Sequence, residues 1–301
     1  YRVSAESGRA LPARLVVRGI AGTVNPNLGP WHLASGAANV ACSETGEGSL
    51  QLPPGRYSVL ATHGPEYTIS ESEVEVGLAQ GATLRSELQH VVDTSGWIGA
   101  DFHLHAEPSG DSQVSLHDRV VSLVSEGIDL AVATDHNHVS DYAPFVAELG
   151  DGERIATTSG IEITTRDWGH FNAYPYAQKL PVPPYAVAPP DKLFEFVRAT
   201  APGAVVQVNH PRMGDIGYFN DGKLELDGLK SKPGFSLDFD ALEVWNGFDL
   251  AKLSVLDSNL DEWMALLARG RRYTAVGNSD SHRIVYEWAG YPRTYVKVDD
   301  D

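Results

Sequence analysis

Eleven histidines occur in the 301 residues, and past residue 100 most of them sit beside one another or beside a carboxylate. The groupings are His103 with His105, Asp135 with His136, Glu162 with His170, His210 alone, and Asp280 with His282. Imidazole nitrogens and carboxylate oxygens, with almost no lysine among them, are the donors that zinc, manganese or iron takes. Alternate side chains of an extended segment point the same way, so His103 and His105 can grip one ion, and so can Asp280 and His282. Grouped cations bring bound water to a proton loss near neutral pH and polarise a scissile P–O or C=O bond. Such chemistry needs no serine or cysteine nucleophile. Ser159-Gly160 and Ser279-Asp280-Ser281 lack the strand–elbow pattern that would supply one.

Residues this far apart meet only if the fold collects them, and the elements between them show how it can. Ile98 to His103 reads as a strand, and Ser115 can cap a helix with apolar positions at Leu116, Val120, Leu123 and Val124. The run Ile128 to Thr134 reads as a buried parallel strand. The rhythm repeats with strand Ile155–Ile163, a helix from Asp191 through Val197, strand Ala204–Val208, strand Ala241–Trp245, helix Leu260–Ala268 and strand Tyr273–Gly277. A parallel barrel or doubly wound sheet follows, with the chemical residues at the C-terminal strand ends, which share one mouth. The Pro-rich stretch Leu180–Pro190 reads as a loop able to shape a substrate pocket.

Residues 1–95 have a different texture. Short alternating segments such as Ala13–Gly19, Arg56–Ala61 and Ser70–Val76, separated by Gly- and Pro-rich turns, predict an all-β unit. The turn Leu52-Pro53-Pro54-Gly55-Arg56-Tyr57 resembles that of the small β-sandwich modules, carboxypeptidase-regulatory or immunoglobulin-like, that accompany many extracellular and periplasmic enzymes. Residues 96–301 form the second unit.

Composition narrows the classes further. Hydrophobic residues make up 42% of the chain, enough for a packed core, and 40 acidic residues against 23 Lys plus Arg leave a formal charge of −17. That charge repels a phosphate backbone, so bulk nucleic-acid binding is not expected. The single cysteine, Cys42, excludes an internal disulfide and a cysteine-based zinc cluster. No apolar run is long enough to insert in a membrane, and no signal peptide is visible. The chain starts at Tyr1 and stops in the acidic run Asp299-Asp300-Asp301, as a fragment or a processed protein would. With the acidic surface and the β unit, this leans toward a periplasmic or secreted location, a cytoplasmic one being the alternative. The oligomeric state is not legible.

His32, His63 and His90 read as surface or satisfied core residues, and His117 as structural near Asp118. The strand-end set does not read that way, because several independent strands end in ligand-type residues. His138 stays open between a supporting or substrate role and none, while Asp101 is expected to orient a ligand imidazole.

Four segments together resemble the motifs of the polymerase and histidinol phosphatase (PHP) superfamily. They are Asp101-Phe102-His103-Leu104-His105, Thr134-Asp135-His136-Asn137, Asn209-His210-Pro211 and Asp280-Ser281-His282. Gly169-His170-Phe171-Asn172-Ala173-Tyr174-Pro175, following Glu162, resembles the carbaryl hydrolase-like branch of that superfamily. The resemblance covers about residues 97 to 298 and implies an α/β fold, a distorted (β/α)₇ barrel, carrying two or three divalent metal ions (Zn, Mn or Fe). It also implies that His103, His105, Glu162 and Asp280 hold a first ion, and that Glu162 bridges to a second completed by His170 and His210. Asp111, His136 and His282 would hold a third, with Asp111 standing where some members have histidine. Without that context, Pro108-Ser109-Gly110-Asp111 would read as an ordinary turn.

The expected activity is hydrolysis of a small-molecule ester. Phosphoesters come first, because paired cations suit in-line phosphoryl displacement and because that chemistry is common in the superfamily. Carboxylic or carbamic esters are the alternative implied by the carbaryl hydrolase-like branch, and a metal-stabilised binding protein is a third reading. Arg166, Arg212 and Arg283, close in sequence to ligand residues, could clamp an anionic oxygen, and Asp135 or His138 could protonate the leaving group.

Overall fold

Residues 1–78 and 80–299 are described by the computed structural model; Asp300 and Asp301, the end of the acidic run, lie outside the described residues. The N-terminal strands are β1 (Arg2–Ala5), β2 (Ala13–Ile20), β3 (Val40–Ser43), β4 (Gly55–Thr62), β5 (Ser70–Val76) and β6 (Arg85–Leu88). Antiparallel pairing gives a sheet of order β3-β2-β4-β5, while β1 and β6 form a separate parallel pair. Alternation sends Leu15, Val17, Tyr57 and Val59 to one face, where they bury Val3 of β1 and Leu88 of β6. The second layer is thus only the two-stranded pair, smaller than the second sheet of a full sandwich.

Beyond residue 96, two further sheets replace the uniform parallel array expected. Strands β7 (Trp97–Asp101), β8 (Leu130–Ala133) and β9 (Ala156–Ser159) are parallel, with α1 (Leu116–Ser125) and α2 (Ala143–Leu149) between them. Ser115 caps α1 by accepting a hydrogen bond from the Asp118 amide, and the apolar stripe Val120, Leu123 and Val124 packs on Ala131 and Ala133. The strand read as Ile155–Ile163 breaks at Gly160. There a Cβ would come within 2.9 Å of the Ala133 carbonyl oxygen, and the chain leaves β9 to begin β10 (Ile161–Thr164) in the next sheet.

Strand β10 turns back antiparallel into β11 (His170–Tyr174), followed by α3 (Pro190–Thr200), β12 (Val205–Val208), the short α4 (Tyr218–Asp221), β13 (Ala241–Asn246), α5 (Leu253–Ala268) and β14 (Thr274–Asn278). The sheet order is β10-β11-β12-β13-β14, and β15 (Thr294–Lys297) adds antiparallel to β7 in the other sheet. Ladder pairing does not close a barrel among the described residues. The two sheets meet instead at the Gly160 break and along a β14–β7 seam, where Phe102 N–H donates to Asn278 Oδ1, Asp280 N–H to the His103 carbonyl, and His105 N–H to the Ser281 carbonyl. Among the described residues no helix is long and apolar enough to cross a membrane.

The N-terminal strands are tied to the second unit by an apolar cluster and an ion pair. Ala34, Ala37, Val40 and Cys42 pack with Val114, Val121, Ile284 and Val285. Beside them Arg14 of β2, nearly buried, lies 2.7 Å from Glu126 and places its guanidinium 4.0 Å from the centre of the Trp288 ring.

Candidate metal centre

Seven of the nine expected ligands come from segments that leave the C-terminal ends of β7, β8, β10, β12 and β14, or lie within β10. His170 opens the antiparallel β11, and Asp111 lies in the loop before α1. Gly169 makes the β10–β11 turn possible: its φ is +86°, and a Cβ there would meet the Tyr218 amide at 2.7 Å. This turn places Glu162 and His170 on one hairpin, with Thr164 opposite His170. His210 and Asp280 sit just past strand ends with φ of +28° and +51°. Non-glycine residues adopt these values only where surrounding contacts enforce them, which is common at functional sites.

The structure brings all nine side chains together around the buried Glu162 carboxylate. His103 Nε2 is 3.2 Å from Glu162 Oε1 and 3.2 Å from Asp280 Oδ1, and His105 Nε2 is 3.1 Å from Asp280 Oδ1. His170 Nδ1 and His210 Nε2 lie 3.3 and 3.8 Å from Glu162 Oε1, and His136 Nδ1 touches Oε2. Asp111 Oδ2 is 3.2 Å from His136 Nε2 and 3.5 Å from His282 Nε2. Four triads have ligand atoms within 4.8 Å of one another: His103/His105/Asp280, His103/Glu162/His210, His136/Glu162/His170 and His105/His136/His282. Atoms that share one ion at roughly 2.0–2.2 Å must lie about this close together.

Two further observations fit the donor set to cations. His105 Nε2 and His210 Nδ1 are buried without a hydrogen-bond partner among the described residues, a costly state for a polar atom unless something else binds it. Burial, helped by the neighbouring His282, lowers the His105 pKa to about 3, so this imidazole is neutral and offers a lone pair. Burial works against ionisation of Glu162, yet the imidazoles of His170, His136 and His103 hold its carboxyl well below the usual range. Asp280 is lowered too, because the close imidazoles of His103 and His105 outweigh its burial. His136 goes the other way: burial disfavours its charge, but Glu162 and Asp111 raise it to about 10. Such a histidine carries a proton at neutral pH that a cation must displace.

The supporting groups differ from those expected. Among the described residues Asp101 holds no imidazole nitrogen. Its Oδ1 accepts from the His103 and Ser279 amides at 3.2 Å and its Oδ2 from the Gly290 amide at 2.8 Å, so it pins two loops to each other. The imidazole-orienting carboxylate is Glu243, fully buried in β13. It accepts from His103 Nδ1 at 3.0 Å, Asn278 Nδ2 at 3.0 Å, the His210 amide at 2.8 Å and Asn246 Nδ2 at 2.9 Å. Sequence reasoning missed it, although a lone glutamate in the apolar run Ala241-Leu242-Glu243-Val244-Trp245 was the available signal. Ser109 was missed as well: its hydroxyl accepts from His105 Nδ1 at 2.8 Å and donates to Asp135 Oδ1 at 2.6 Å. Asn209 Nδ2 donates to Glu162 Oε1 at 2.8 Å, fixing the central carboxylate.

The groups expected to act on substrate are less well placed. Above the cluster is a cavity of about 330 Å³ whose wall beyond the ligands is Met213, Ile216, Phe248, Arg283 and Glu287. Arg283 reaches it, half-exposed and 3.2 Å from Glu287. Arg212 does not: its guanidinium is held by both oxygens of Glu262 and by Asn220 and the Leu224 carbonyl. Asp135 is buried beneath the ligands, bound to the Ala106 amide and Ser109, and its pKa is raised by that burial. His138 and Arg166 are exposed and off the cavity wall, and the Pro-rich loop 180–190 does not line the cavity either.

A solved structure is similar in shape. It is a two-domain protein from Bacteroides vulgatus containing a predicted PHP-like metal-dependent phosphoesterase, with 25% identity and a TM-score of 0.46 over 71% of this chain and 62% of that one. The present chain therefore spans less than two thirds of that protein's length. No protein-family model and no curated protein matches the sequence.

Proposed function

We propose that the protein is a multinuclear metal-dependent hydrolase of small-molecule esters, with phosphoesters as its substrates. The observation that carries this reading is the buried cluster of four overlapping ligand triads sharing Glu162, His103, His105 and His136. Two or three divalent ions of the zinc, manganese or iron type, held by His103, His105, Asp111, His136, Glu162, His170, His210, Asp280 and His282, would supply an activated water and polarise the scissile bond. The chain's own part is to hold these donors rigid and to exclude bulk water. Glu243 and the Ser109–Asp135 pair fix the Nδ1 atoms of His103 and His105, leaving each Nε2 turned toward the cluster. Among the described residues Arg283 is the one arginine on the cavity wall, which supports a role for it in meeting an anionic oxygen of the substrate.

One observation favours a carboxylic or carbamic ester instead. Met213, Ile216 and Phe248 give the cavity an apolar wall, and Arg283 is already paired with Glu287. A dianionic phosphomonoester gains little from such a wall. A test is to load the protein with Mn²⁺, Zn²⁺ or Fe²⁺ and compare kcat/KM for phosphomonoesters, phosphodiesters and carboxylic esters. Phosphoester turnover that disappears in His210→Ala together with part of the bound metal supports the first reading. Turnover confined to carboxylic esters selects the second. A fully loaded protein with no turnover on any ester would leave only metal-stabilised binding.

A further inference from the structure

A second cavity, about 470 Å³, lies at the opposite end of β8 and β9 from the metal cluster. Its walls come from both parts of the chain. Arg9 follows β1, and His63, Glu66 and Tyr67 follow β4, while Asp129 immediately precedes β8 and Arg154 lies just before β9. None of these residues belongs to the metal site or adjoins one of its ligands.

The polar groups facing this space are incompletely satisfied, and the pattern of what is left over is specific. His63 is only 9% exposed, and its Nδ1 lies 3.1 Å from the Ser125 carbonyl. A carbonyl can only accept, so Nδ1 carries the hydrogen and Nε2 is left as a lone-pair acceptor. That Nε2 has no hydrogen-bond partner among the described residues, and burial lowers the ring's pKa, keeping it neutral. Tyr67 packs edge-on against the His63 ring, with centroids 4.9 Å apart, fixing its orientation. Asp129 uses Oδ2 on the Gly99 amide at 2.7 Å, which leaves Oδ1 as a second acceptor. Glu66 is not available in this way, because Arg293 and the Tyr295 hydroxyl occupy its oxygens.

Donors are the complement at the other end. Arg9 and Arg154 share an adjoining recess of about 270 Å³ with Gly150 and Glu153. Arg154 is paired with Asp151, and the Arg9 guanidinium has no hydrogen bond or ion pair among the described residues. Formal charges around the cavity nearly cancel, so its best occupant has no net charge but bears both signs. We propose that this cavity is a binding site for a small zwitterion, a free amino acid or short peptide. Its carboxylate meets Arg9 and Arg154, and its ammonium meets Asp129 Oδ1 and His63 Nε2. Such a ligand touches the N-terminal segments and the second unit at once, and by mass action it stabilises their contact.

The test is thermal unfolding and calorimetric titration of the whole chain, metal-free and metal-loaded, with free amino acids and alanyl dipeptides at millimolar concentration. At least one member should raise Tm by several degrees in both metal states, which separates the effect from metal chelation. Its N-acetyl form and its C-terminal amide should each bind roughly tenfold or more weakly, as expected for loss of one charge-assisted contact. Arg9→Ala, at an exposed residue whose guanidinium has no partner among the described residues, should fold normally and show the same loss. The proposal is overturned if no member shifts Tm, if the capped forms bind as well as the free one, or if Arg9→Ala binds undiminished. The ester-hydrolysis reading stands or falls separately, because none of these readouts uses turnover.

Discussion

Replacing Glu243 with glutamine isolates the contribution of a residue that touches no substrate. The side chain keeps its shape, but one acceptor oxygen becomes an N–H₂ donor. In either amide orientation that donor faces two N–H groups: His103 Nδ1 and Asn278 Nδ2, or the His210 amide and Asn246 Nδ2. Hydrogen bonds to a charged acceptor contribute about 1.5–3 kcal/mol each, so two lost bonds amount to about 3–6 kcal/mol. Removing a buried charge returns part of this, since desolvating one costs several kcal/mol. Metal affinity is the sharper readout, because His103 loses the acceptor that fixes its ring and strengthens its Nε2 lone pair. Supporting contacts of this kind are worth roughly 10–100-fold in affinity, or about 1.4–2.8 kcal/mol. Competition titration against a chelator of known affinity, with metal counted per chain, measures it directly. Glu75→Gln on the exposed edge strand β5 serves as the control. A folded Glu243→Gln protein that binds the same number of ions with affinity within about twofold of the parent would refute the assignment of Glu243 as the group that orients His103.

Other expectations follow from the same contacts. In chelator-treated protein, His136, raised from 6.5 to about 10, stabilises the fold fully below its ordinary value and loses that effect as pH rises through about 10. Glu162, held below 4.5, stabilises above that value and loses its effect as pH falls. The Tm of the metal-free protein should therefore decline from pH 6.5 toward 10 while that of the loaded protein does not, and a flat metal-free profile over that range contradicts the pairing. Arg212→Ala should cost about 1–3 kcal/mol of stability through its partly buried bonds, with kcat of any ester hydrolysis by the folded protein unchanged; a selective loss of kcat would return Arg212 to the site. Arg14→Ala strands the buried Glu126 carboxylate and should cost about 3–5 kcal/mol in denaturant unfolding; a loss under about 1 kcal/mol would show that the pair is solvated.

Most of the residues that the structure gathers around Glu162 were legible because they are polar groups in or just past an apolar strand, a pattern that burial rarely tolerates without a partner; Asp111, in a loop, and His170, opening β11, do not follow it. What escaped was conformation set by tertiary contacts. The turn at Gly169 makes β11 antiparallel, and nothing in the local spacing of Glu162 and His170 announces that direction. Helix α5 begins at Leu253 rather than Leu260, since the poor helix formers Ser254, Asp257, Ser258 and Asn259 hide its first turns. It is held there by Leu256 and Leu260 packing on the core and by Asn259 donating to the Val244 carbonyl. Arg212 and Asp135 were placed near ligands correctly along the chain, but whether a side chain faces the cavity or turns from it depends on partners such as Glu262 and Ser109 that lie far away in sequence.

The cluster joining Ala34, Ala37, Val40 and Cys42 to Val114, Val121, Ile284 and Val285 bears on how this protein can be cut and recombined. A shortened chain beginning near residue 96 would keep every residue of the candidate metal centre yet leave Val121, Ile284 and Val285 bare, with Glu126 lacking its guanidinium. Surfaces of that kind drive newly made chains into inclusion bodies. Grafting a different β module onto residues 96–301 would meet the same obstacle unless the replacement supplied a matching small-residue face and an arginine. The N-terminal strands are thus less a removable tag than a fitted lid on the seam that also carries His282.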